Sequence, residues 1–299
     1  MKVFPFFLFI YCDSYTLFRN YNNLDNHHNL VNLNHFHGRT EKSLNLINKQ
    51  NNNIVDSCKF EEMKTEKDFL NNKKLITISP GGYKGFYTHG NCIYIKEHYD
   101  LSNFLFSGAS AGAWNALFMT CKKDMFLPSK YIVESVTQNT KSIFDLQNQV
   151  KENILGRYTT DDFELDKLFI GVTTLHLFKV KTTIYSNFCN LEDAIDCCFA
   201  SSHIPLITGY FFNKYKNVIS FDGGFSKNPY FDSMESNFHI SPSLWNENKD
   251  KLTKPMCIEN ITTLFSKDKY DCNQLLIDGY NDAELHKDFL DKIFVRKKI

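Results

Sequence analysis

The stretch NFLFSGASAGAWNALFMTCKK, residues 103–123, places two different periodicities on either side of a cluster of small residues. Residues 103–108 form an apolar run of strand length, whereas residues 111–123 have the spacing of a helix. Between them, two of the 13 glycines of the 299-residue chain flank one serine, with alanines in the gaps. The pattern predicts a β-strand that turns sharply into an α-helix.

The segment before this stretch has the same order of patterns. KLITISP, residues 74–80, is a short β-rich apolar run that ends in glycines. GFYTHGNCIYIKEHYD, residues 85–100, has helical spacing, with apolar Phe86, Ile93 and Ile95. Strand, helix, strand and helix joined by short connections predict parallel strands with right-handed crossovers.

Further periodic segments extend this prediction. A helix is expected over residues 191–200, with Asn190 as its N-cap. A closing amphipathic helix is expected over residues 281–294, with Leu285, Phe289 and Ile293 on one face. Additional strands are predicted at residues 167–175, 182–187 and 218–224. The predicted fold is α/β, a layered α/β/α sandwich with a mostly parallel central sheet.

Composition argues against several classes of function. The 34 basic and 34 acidic residues balance, and no basic stripe carries interleaved aromatic residues, so nucleic-acid binding has no support. The nine cysteines contain no C-x-x-C pair, so neither a zinc site nor a regular disulfide framework is indicated. Adjacent Cys197 and Cys198 are interpreted as small, half-buried helix residues. A reducing compartment is favoured.

Residues 1–64 differ from the rest of the chain. The apolar run from Val3 to Tyr11 is too short to span a bilayer. It follows Lys2, as in a secretory signal, but no A-x-A-like site comes after it; a targeting segment and a poorly structured tail both stay open. Residues 20–53 contain 12 asparagines and four scattered histidines, which predict a disordered linker rather than a metal site. One globular domain is predicted over residues 65–299.

The sequence Gly108-Ala109-Ser110-Ala111-Gly112 matches G-x-S-x-G between a predicted strand and a predicted helix. Small neighbours are needed where a sharp turn lifts a serine hydroxyl clear of a sheet. The turn also places that hydroxyl at a helix N-terminus, which favours negative charge. The alternative is a turn that only packs the helix on the sheet.

A glycine-rich loop, Ser79 to Gly85, follows the first predicted strand. Consecutive Gly81 and Gly82 allow backbone N–H groups to point into one concavity, as an oxyanion hole requires. A phosphate could bind there too, although the loop lacks the P-loop pattern. Lys84 is interpreted as a residue that steadies the loop, attracts an anionic head group or is simply solvated.

A serine nucleophile needs a neighbouring base. The most site-like acid is Asp222 in SFDGGFSKNP, because a strand ends at Phe221 and two glycines, Gly223 and Gly224, then turn the chain. A plain turn is the alternative interpretation. No histidine after the serine lies in a glycine-rich loop; the candidates are His176, His203, His239 and His286.

These three motifs, in this order, resemble the patatin-like phospholipase family. They are Pro80–Gly85, Gly108–Gly112 and Asp222–Gly224. Weaker similarity to the adiponutrin-like branch of the family lies in GFYTHGNCIYIKEH with His89-Gly90 and in GYNDA (residues 279–283). ASSHIPLITG (residues 200–209) resembles the segment A-S-x-x-I-P that precedes D-G-G in the family. The resemblance covers roughly residues 74–294.

The resemblance implies a lipid acyl hydrolase with a Ser110–Asp222 dyad and no histidine, metal or organic cofactor. It implies an oxyanion hole drawn from Gly81, Gly82, Gly85 and Ala111. The family usually has a third glycine where this chain has Pro80, which has no N–H.

The alternatives to hydrolysis are acyl transfer to an alcohol and an inactive protein that binds lipid surfaces. The expected partner is a lipid at a membrane or droplet surface, and the expected location is cytoplasmic or peripheral to membranes.

Overall fold

The computed structural model describes residues 73–123, 133–134, 140, 142–176, 179–245 and 269–298. All of these belong to one unit of the chain, Glu62–Ile299. The predicted N-terminal segment, the Asn-rich linker and the boundary after residue 64 lie outside the described residues. No helix in the described part of the chain is long and apolar enough to cross a membrane.

The predicted strands and helices occur in the predicted order, but four further strands and a helix at residues 143–157 were not predicted. The strands are β1 Lys74–Ile78, β2 Tyr99–Asp100, β3 Phe104–Ala109, β4 Leu168–His176, β5 Lys179–Tyr185, β6 Asn213–Tyr215, β7 Val218–Phe221, β8 Ser236–Ile240 and β9 Val295–Arg296. The helices are α1 Gly85–His98, α2 Ala111–Thr120, α3 Ile143–Arg157, α4 Leu191–Ser201, α5 Cys272–Leu285 and α6 Lys287–Leu290. The predicted N-cap of α4 is confirmed, because the Asn190 side chain accepts a hydrogen bond from the N–H of Asp193.

The central sheet has the order β6-β7-β4-β3-β1-β8, and β5 also pairs with β4. Strands β4, β3, β1 and β8 pair in parallel. Strands β5 and β7 run antiparallel to β4, and β6 is antiparallel to β7. Five of these strands therefore run in one direction and two in the other. This confirms the predicted α/β fold with a mostly parallel central sheet.

The two faces of the sheet are covered differently. Alternate residues of β1 and β3 point to opposite faces. On one face, Ile76 and Phe106 join the main core, to which all six helices contribute. On the other face, Leu75, Leu105 and Phe169 pack against the segment that carries Phe231 and Met234. In the described part of the chain this second face is covered by a loop, so the second helical layer of the predicted sandwich stays a prediction.

The predicted closing helix over residues 281–294 is wrong in its bounds and its buried face. Helix α5 starts earlier, because the Asp271 side chain caps it by accepting hydrogen bonds from two N–H groups of its first turn. The buried positions then follow Cys272, Leu276, Gly279 and Ala283. This register places Leu285 on the outer face, where it is 78% exposed. Cys197 and Cys198 also differ from expectation, since they are fully buried rather than half-buried in α4.

Helices α1 and α5 pack closely through two glycines. A Cβ atom at Gly90 would lie 2.0 Å from the Leu276 carbonyl oxygen, and one at Gly279 would lie 2.0 Å from the Tyr87 carbonyl oxygen. The Tyr87 hydroxyl also donates to Asp282, at 2.5 Å. Backbone contact between the helices therefore requires glycine at both positions.

We expect Gly279→Ala to lower the free energy of unfolding by about 3 kcal/mol, because the new methyl group must push two helix backbones apart. The matched control is Gly156→Ala in α3, where an added Cβ meets nothing within 4 Å. This control should be neutral or stabilising by up to about 1 kcal/mol, from helix propensity. Urea unfolding of both variants provides the measurement. Equal stability of the two would contradict the close packing.

Candidate active site

Two strands approach each other end to end along one edge of β4. Strand β3 ends opposite Gly171 of β4, while β7, running in the opposite direction, ends opposite Thr173. Strand β5 occupies the other edge of β4 over both positions. Ser110 and Asp222 are the next residues of β3 and β7, so both lie beside Val172. The sheet topology thus joins two positions that are 112 residues apart in the chain.

The two side chains form a buried hydrogen-bonded pair. The Ser110 hydroxyl donates to Asp222 Oδ2 at 2.6 Å. The other carboxylate oxygen, Oδ1, accepts from the N–H of Gly224 at 2.7 Å. Ser110 is 3% exposed and Asp222 is 4% exposed. The carboxylate is therefore fixed in place, with one oxygen left to accept a proton from the serine.

Ser110 has an unusual backbone conformation, with φ 55° and ψ −129°. A non-glycine residue with positive φ is strained and persists only where its surroundings hold it. Its N–H donates to the Ser201 hydroxyl at 2.8 Å, and that hydroxyl donates to the Gly171 carbonyl at 2.7 Å. Ser201 therefore ties the serine turn to β4. The sequence segment ASSHIPLITG contained this residue, but nothing in the pattern indicated its role.

The glycines on both sides of the serine allow close backbone contacts. A Cβ at Gly108 would lie 2.1 Å from the Gly112 carbonyl oxygen, and one at Gly112 would lie 2.1 Å from the Ile78 carbonyl oxygen. A Cβ at Gly223, beside the aspartate, would lie 2.3 Å from the Gly171 carbonyl oxygen. The packing role and the strained serine turn therefore occur together, and neither interpretation of the motif excludes the other.

The glycine loop and the start of α2 carry the candidate oxyanion donors, and Gly82 and Ala111 line the same cavity as Ser110. Within the described residues, the N–H groups of Gly81, Gly82 and Ala111 have no acceptor. Gly82 has a φ of 52°, a conformation that favours glycine. The prediction for Gly85 is wrong, because its N–H already donates to the carbonyl oxygens of Gly82 and Tyr83 in the turn that starts α1.

Gly85 has a packing role instead. A Cβ added there would lie 2.5 Å from the Ala111 Cβ, so the loop can approach the start of α2 only with glycine at this position. Pro80 packs on the aspartate turn, since a Cβ at Gly224 would lie 3.1 Å from Pro80 Cβ. Lys84 is exposed, and its N–H closes the loop by donating to the Gly81 carbonyl.

A buried asparagine connects the glycine loop to the serine helix. The Asn115 side-chain NH₂ donates to the Gly85 carbonyl at 3.0 Å and to Thr88 Oγ1 at 2.8 Å. Its carbonyl oxygen faces Nδ1 of His89 at 2.8 Å. Sequence analysis missed this residue, although a polar residue within the apolar run AGAWNALF was a signal that could have identified it.

Burial dominates the electrostatics of the aspartate. It raises the pKa of Asp222 to about 6, and the hydrogen bonds from Ser110 and Gly224 offset part of this effect. The carboxylate is therefore ionised at neutral pH but protonated in mildly acidic solution. A base with a pKa near the working pH is well matched to proton transfer.

Within the described residues, no histidine side chain bonds to Ser110 or to the Asp222 carboxylate. The backbone of His203 contacts the aspartate, since the His203 carbonyl oxygen accepts the N–H of Asp222 at 2.7 Å. Its ring lies against Phe221 instead. The side chain of His239 hydrogen-bonds to Thr77, and that of His286 to the Asp282 carbonyl. The side chain of His176 lies outside the described residues.

Ser110 opens onto a cavity of about 160 Å³. Helices α1, α2 and α3 supply most of its wall, which is largely aromatic and aliphatic. Wall residues that represent this apolar character are Phe86, Trp114, Leu117, Phe118, Leu146 and Val150. The nucleophile candidate thus faces a space suited to an apolar group.

Comparison of the sequence with protein-family models gave no match, and comparison with curated proteins gave none. Within the described residues, no group of three or more His, Cys, Asp or Glu side chains could hold a metal ion.

Proposed function

We propose that this chain hydrolyses carboxylic esters of lipids through a Ser110–Asp222 dyad, as its resemblance to the patatin-like phospholipases implies. The observation that carries the proposal is the 2.6 Å hydrogen bond from the Ser110 hydroxyl to the buried Asp222 carboxylate. Ser110 lines an apolar cavity to which Gly82 and Ala111 also contribute, and the N–H groups of these two residues have no acceptor within the described residues. A nucleophile, a base, oxyanion donors and an acyl site are the parts that ester hydrolysis requires.

In the first half-reaction, the Ser110 oxygen attacks the ester carbonyl carbon while its proton passes to the Asp222 carboxylate. The N–H groups of Gly81, Gly82 and Ala111 stabilise the negative charge that develops on the carbonyl oxygen. None of these donors is residue 80, so Pro80 removes no donor from this set. The tetrahedral intermediate then expels the alcohol, which takes the proton from Asp222 and leaves an acyl-serine.

In the second half-reaction, water attacks the acyl-serine as Asp222 accepts its proton. The same N–H groups stabilise the second oxyanion. Collapse of this intermediate breaks the ester bond to Ser110, returns the proton to the serine oxygen and releases a fatty acid. An alcohol in place of water would give acyl transfer by the same steps.

The proposal is tested by incubating the purified chain with mixed vesicles of phospholipid and triacylglycerol and identifying the products by mass spectrometry. Free fatty acid and the matching alcohol or lysolipid are expected. Acyl groups that appear on an added alcohol acceptor instead of water would indicate a transacylase. Absence of both products would contradict the proposed activity.

The rate of hydrolysis should depend on the ionisation of Asp222. Since burial raises the pKa of this acid to about 6, kcat/KM for p-nitrophenyl butyrate should fall tenfold per pH unit below that value and level off above it. A stopped-flow or plate assay in constant-ionic-strength buffers from pH 4.5 to 9 gives the profile. A rate that stays constant down to pH 4.5 would contradict a base with this raised pKa.

A further inference from the structure

Two of the polar side chains that line the cavity beside Ser110 have no role in the proposed mechanism and keep polar atoms without a partner among the described residues. His89 of α1 and Gln147 of α3 both line it, among residues that are mostly apolar. Asn115, which also lines it, is already fully engaged by Gly85, Thr88 and His89. His89 and Gln147 therefore have no role assigned so far, and the role inferred for them rests on the proposed lipid hydrolase activity.

The hydrogen bond to Asn115 fixes the tautomer of His89. The NH₂ group of Asn115 faces the Gly85 carbonyl, which can only accept, so its oxygen must face His89. Nδ1 of His89 consequently carries the proton and donates it to Asn115. In the neutral ring, Nε2 then has a free lone pair and acts only as an acceptor.

The His89 ring stays neutral under ordinary conditions, because burial lowers its pKa to about 4. Within the described residues, Nε2 has no hydrogen-bonding partner. The side chain thus presents to the mostly apolar cavity an acceptor that no described residue uses.

Gln147 is 6% exposed, and its amide has no hydrogen-bonding partner in the described part of the chain. Its neighbour Leu146 and the residue one turn later, Val150, line the same cavity with aliphatic groups. A buried polar group is left unpaired, at a cost in free energy, when an apolar group displaces water from it. A plain alkyl chain that fills this cavity would leave two such groups unpaired.

We propose that His89 and Gln147 form a subsite for a hydroxyl group of the lipid substrate, so that this enzyme prefers hydroxyl-bearing lipids to plain ones. A hydroxyl donates to the acceptor Nε2 and can accept from the glutamine NH₂, which are the two roles these side chains leave open. The hydroxyl could belong to the acyl chain or to the glycerol part of the lipid. A site built to bind a hydroxyl discriminates strongly against an analogue that lacks it.

The test compares kcat/KM for p-nitrophenyl octadecanoate with a series in which one hydroxyl is moved along the chain. At the best position, the wild-type chain should prefer the hydroxylated ester by about tenfold. Gln147→Met and His89→Phe should each lower this ratio by about threefold or more, whereas the cavity control Leu146→Met should retain it. A second arm compares monooleoylglycerol with methyl oleate and assigns the preference to the glycerol hydroxyls if it appears only there.

Binding to the Ser110→Ala variant separates this inference from the proposed activity. Hydroxylated and plain octadecanoic acids compete there with a fluorescent fatty acid, and no turnover is needed. Tighter binding of a hydroxylated acid supports the subsite even if no ester is hydrolysed. Equal affinities and equal kcat/KM values across both substrate arms, or a preference that neither Gln147→Met nor His89→Phe lowers, would overturn the subsite while leaving the hydrolase intact.

Discussion

Ser110→Ala should lower kcat/KM for p-nitrophenyl butyrate by at least about 10⁴-fold, because covalent catalysis ends when the attacking oxygen is removed. The change deletes one atom from a residue that is 3% exposed, so the fold should persist. The backbone N–H groups of the glycine loop stay in place and leave a small residual rate. Initial rates at pH 8 with enzyme concentrations raised for the variant give the measurement.

Ser107→Ala is the matched control for this variant. Ser107 lies in the same strand and is also buried, but its hydroxyl accepts the N–H of Phe231 on the other face of the sheet. Its loss should cost about 1 kcal/mol of stability and leave kcat/KM within a few-fold of the wild-type value. Equal loss of activity in both variants would mean that the serine effect is structural.

Asp222→Asn should abolish activity and at the same time stabilise the protein at pH 8. The amide oxygen can still accept the N–H of Gly224, while the NH₂ group can donate to the Ser110 oxygen, so the first hydrogen bond persists and the second reverses its direction. It cannot accept the serine proton, so kcat/KM should fall by about 10⁴-fold. Activity and stability should change in opposite directions, because the buried charge that the reaction requires destabilises the folded protein.

The sign of the stability change follows from the pKa of Asp222. Burial raises this pKa from 3.8 to about 6, so folding favours the protonated acid. The contribution of Asp222 protonation to the free energy of unfolding is complete below about pH 4 and is lost as the pH rises through 6. At pH 8 the loss is about 3 kcal/mol. Asp222→Asn removes that cost, and its midpoint of thermal unfolding should exceed that of wild type at pH 8 by ~5 °C but match it near pH 4.

Histidine variants are the controls for the dyad. His239→Gln and His286→Gln should retain most of the activity, because these rings bond to Thr77 and to the Asp282 carbonyl. His203→Gln should also retain activity, since only its backbone contacts Asp222. Loss of activity in a single histidine variant comparable to the loss in Asp222→Asn would indicate a Ser-His-Asp triad instead.

Local patterns predicted the elements that carry the site. The apolar runs that became β1 and β3, the small residues around Ser110 and the glycines after Asp222 each reflect a constraint that acts within a few residues. Sequence alone therefore identified Ser110 and Asp222, the two side chains that form the buried hydrogen-bonded pair. It also identified the strand-helix order that brings the glycine loop to the serine.

Features that depend on tertiary contacts were not predicted. The opposite direction of β7, which brings Asp222 to the end of β3, is set by pairing with β4 and not by its own residues. Only Phe238 and Ile240 of strand β8 are buried, so its sequence has too few apolar positions to predict a strand. The Gly85 N–H donates within the turn that starts α1 and is therefore not available to an oxyanion, and the spacing of glycines in the sequence does not predict this.

In the proposed mechanism, Asp222 makes the Ser110 hydroxyl nucleophilic. A fluorophosphonate probe tests it directly, because it forms a covalent adduct only with an activated serine, and peptide mass spectrometry locates that adduct. We expect a single adduct on the peptide that contains Ser110 in the wild-type chain, and none in Asp222→Asn over the same time. An unlabelled wild-type protein, or an Asp222→Asn variant labelled at the wild-type rate, would contradict it.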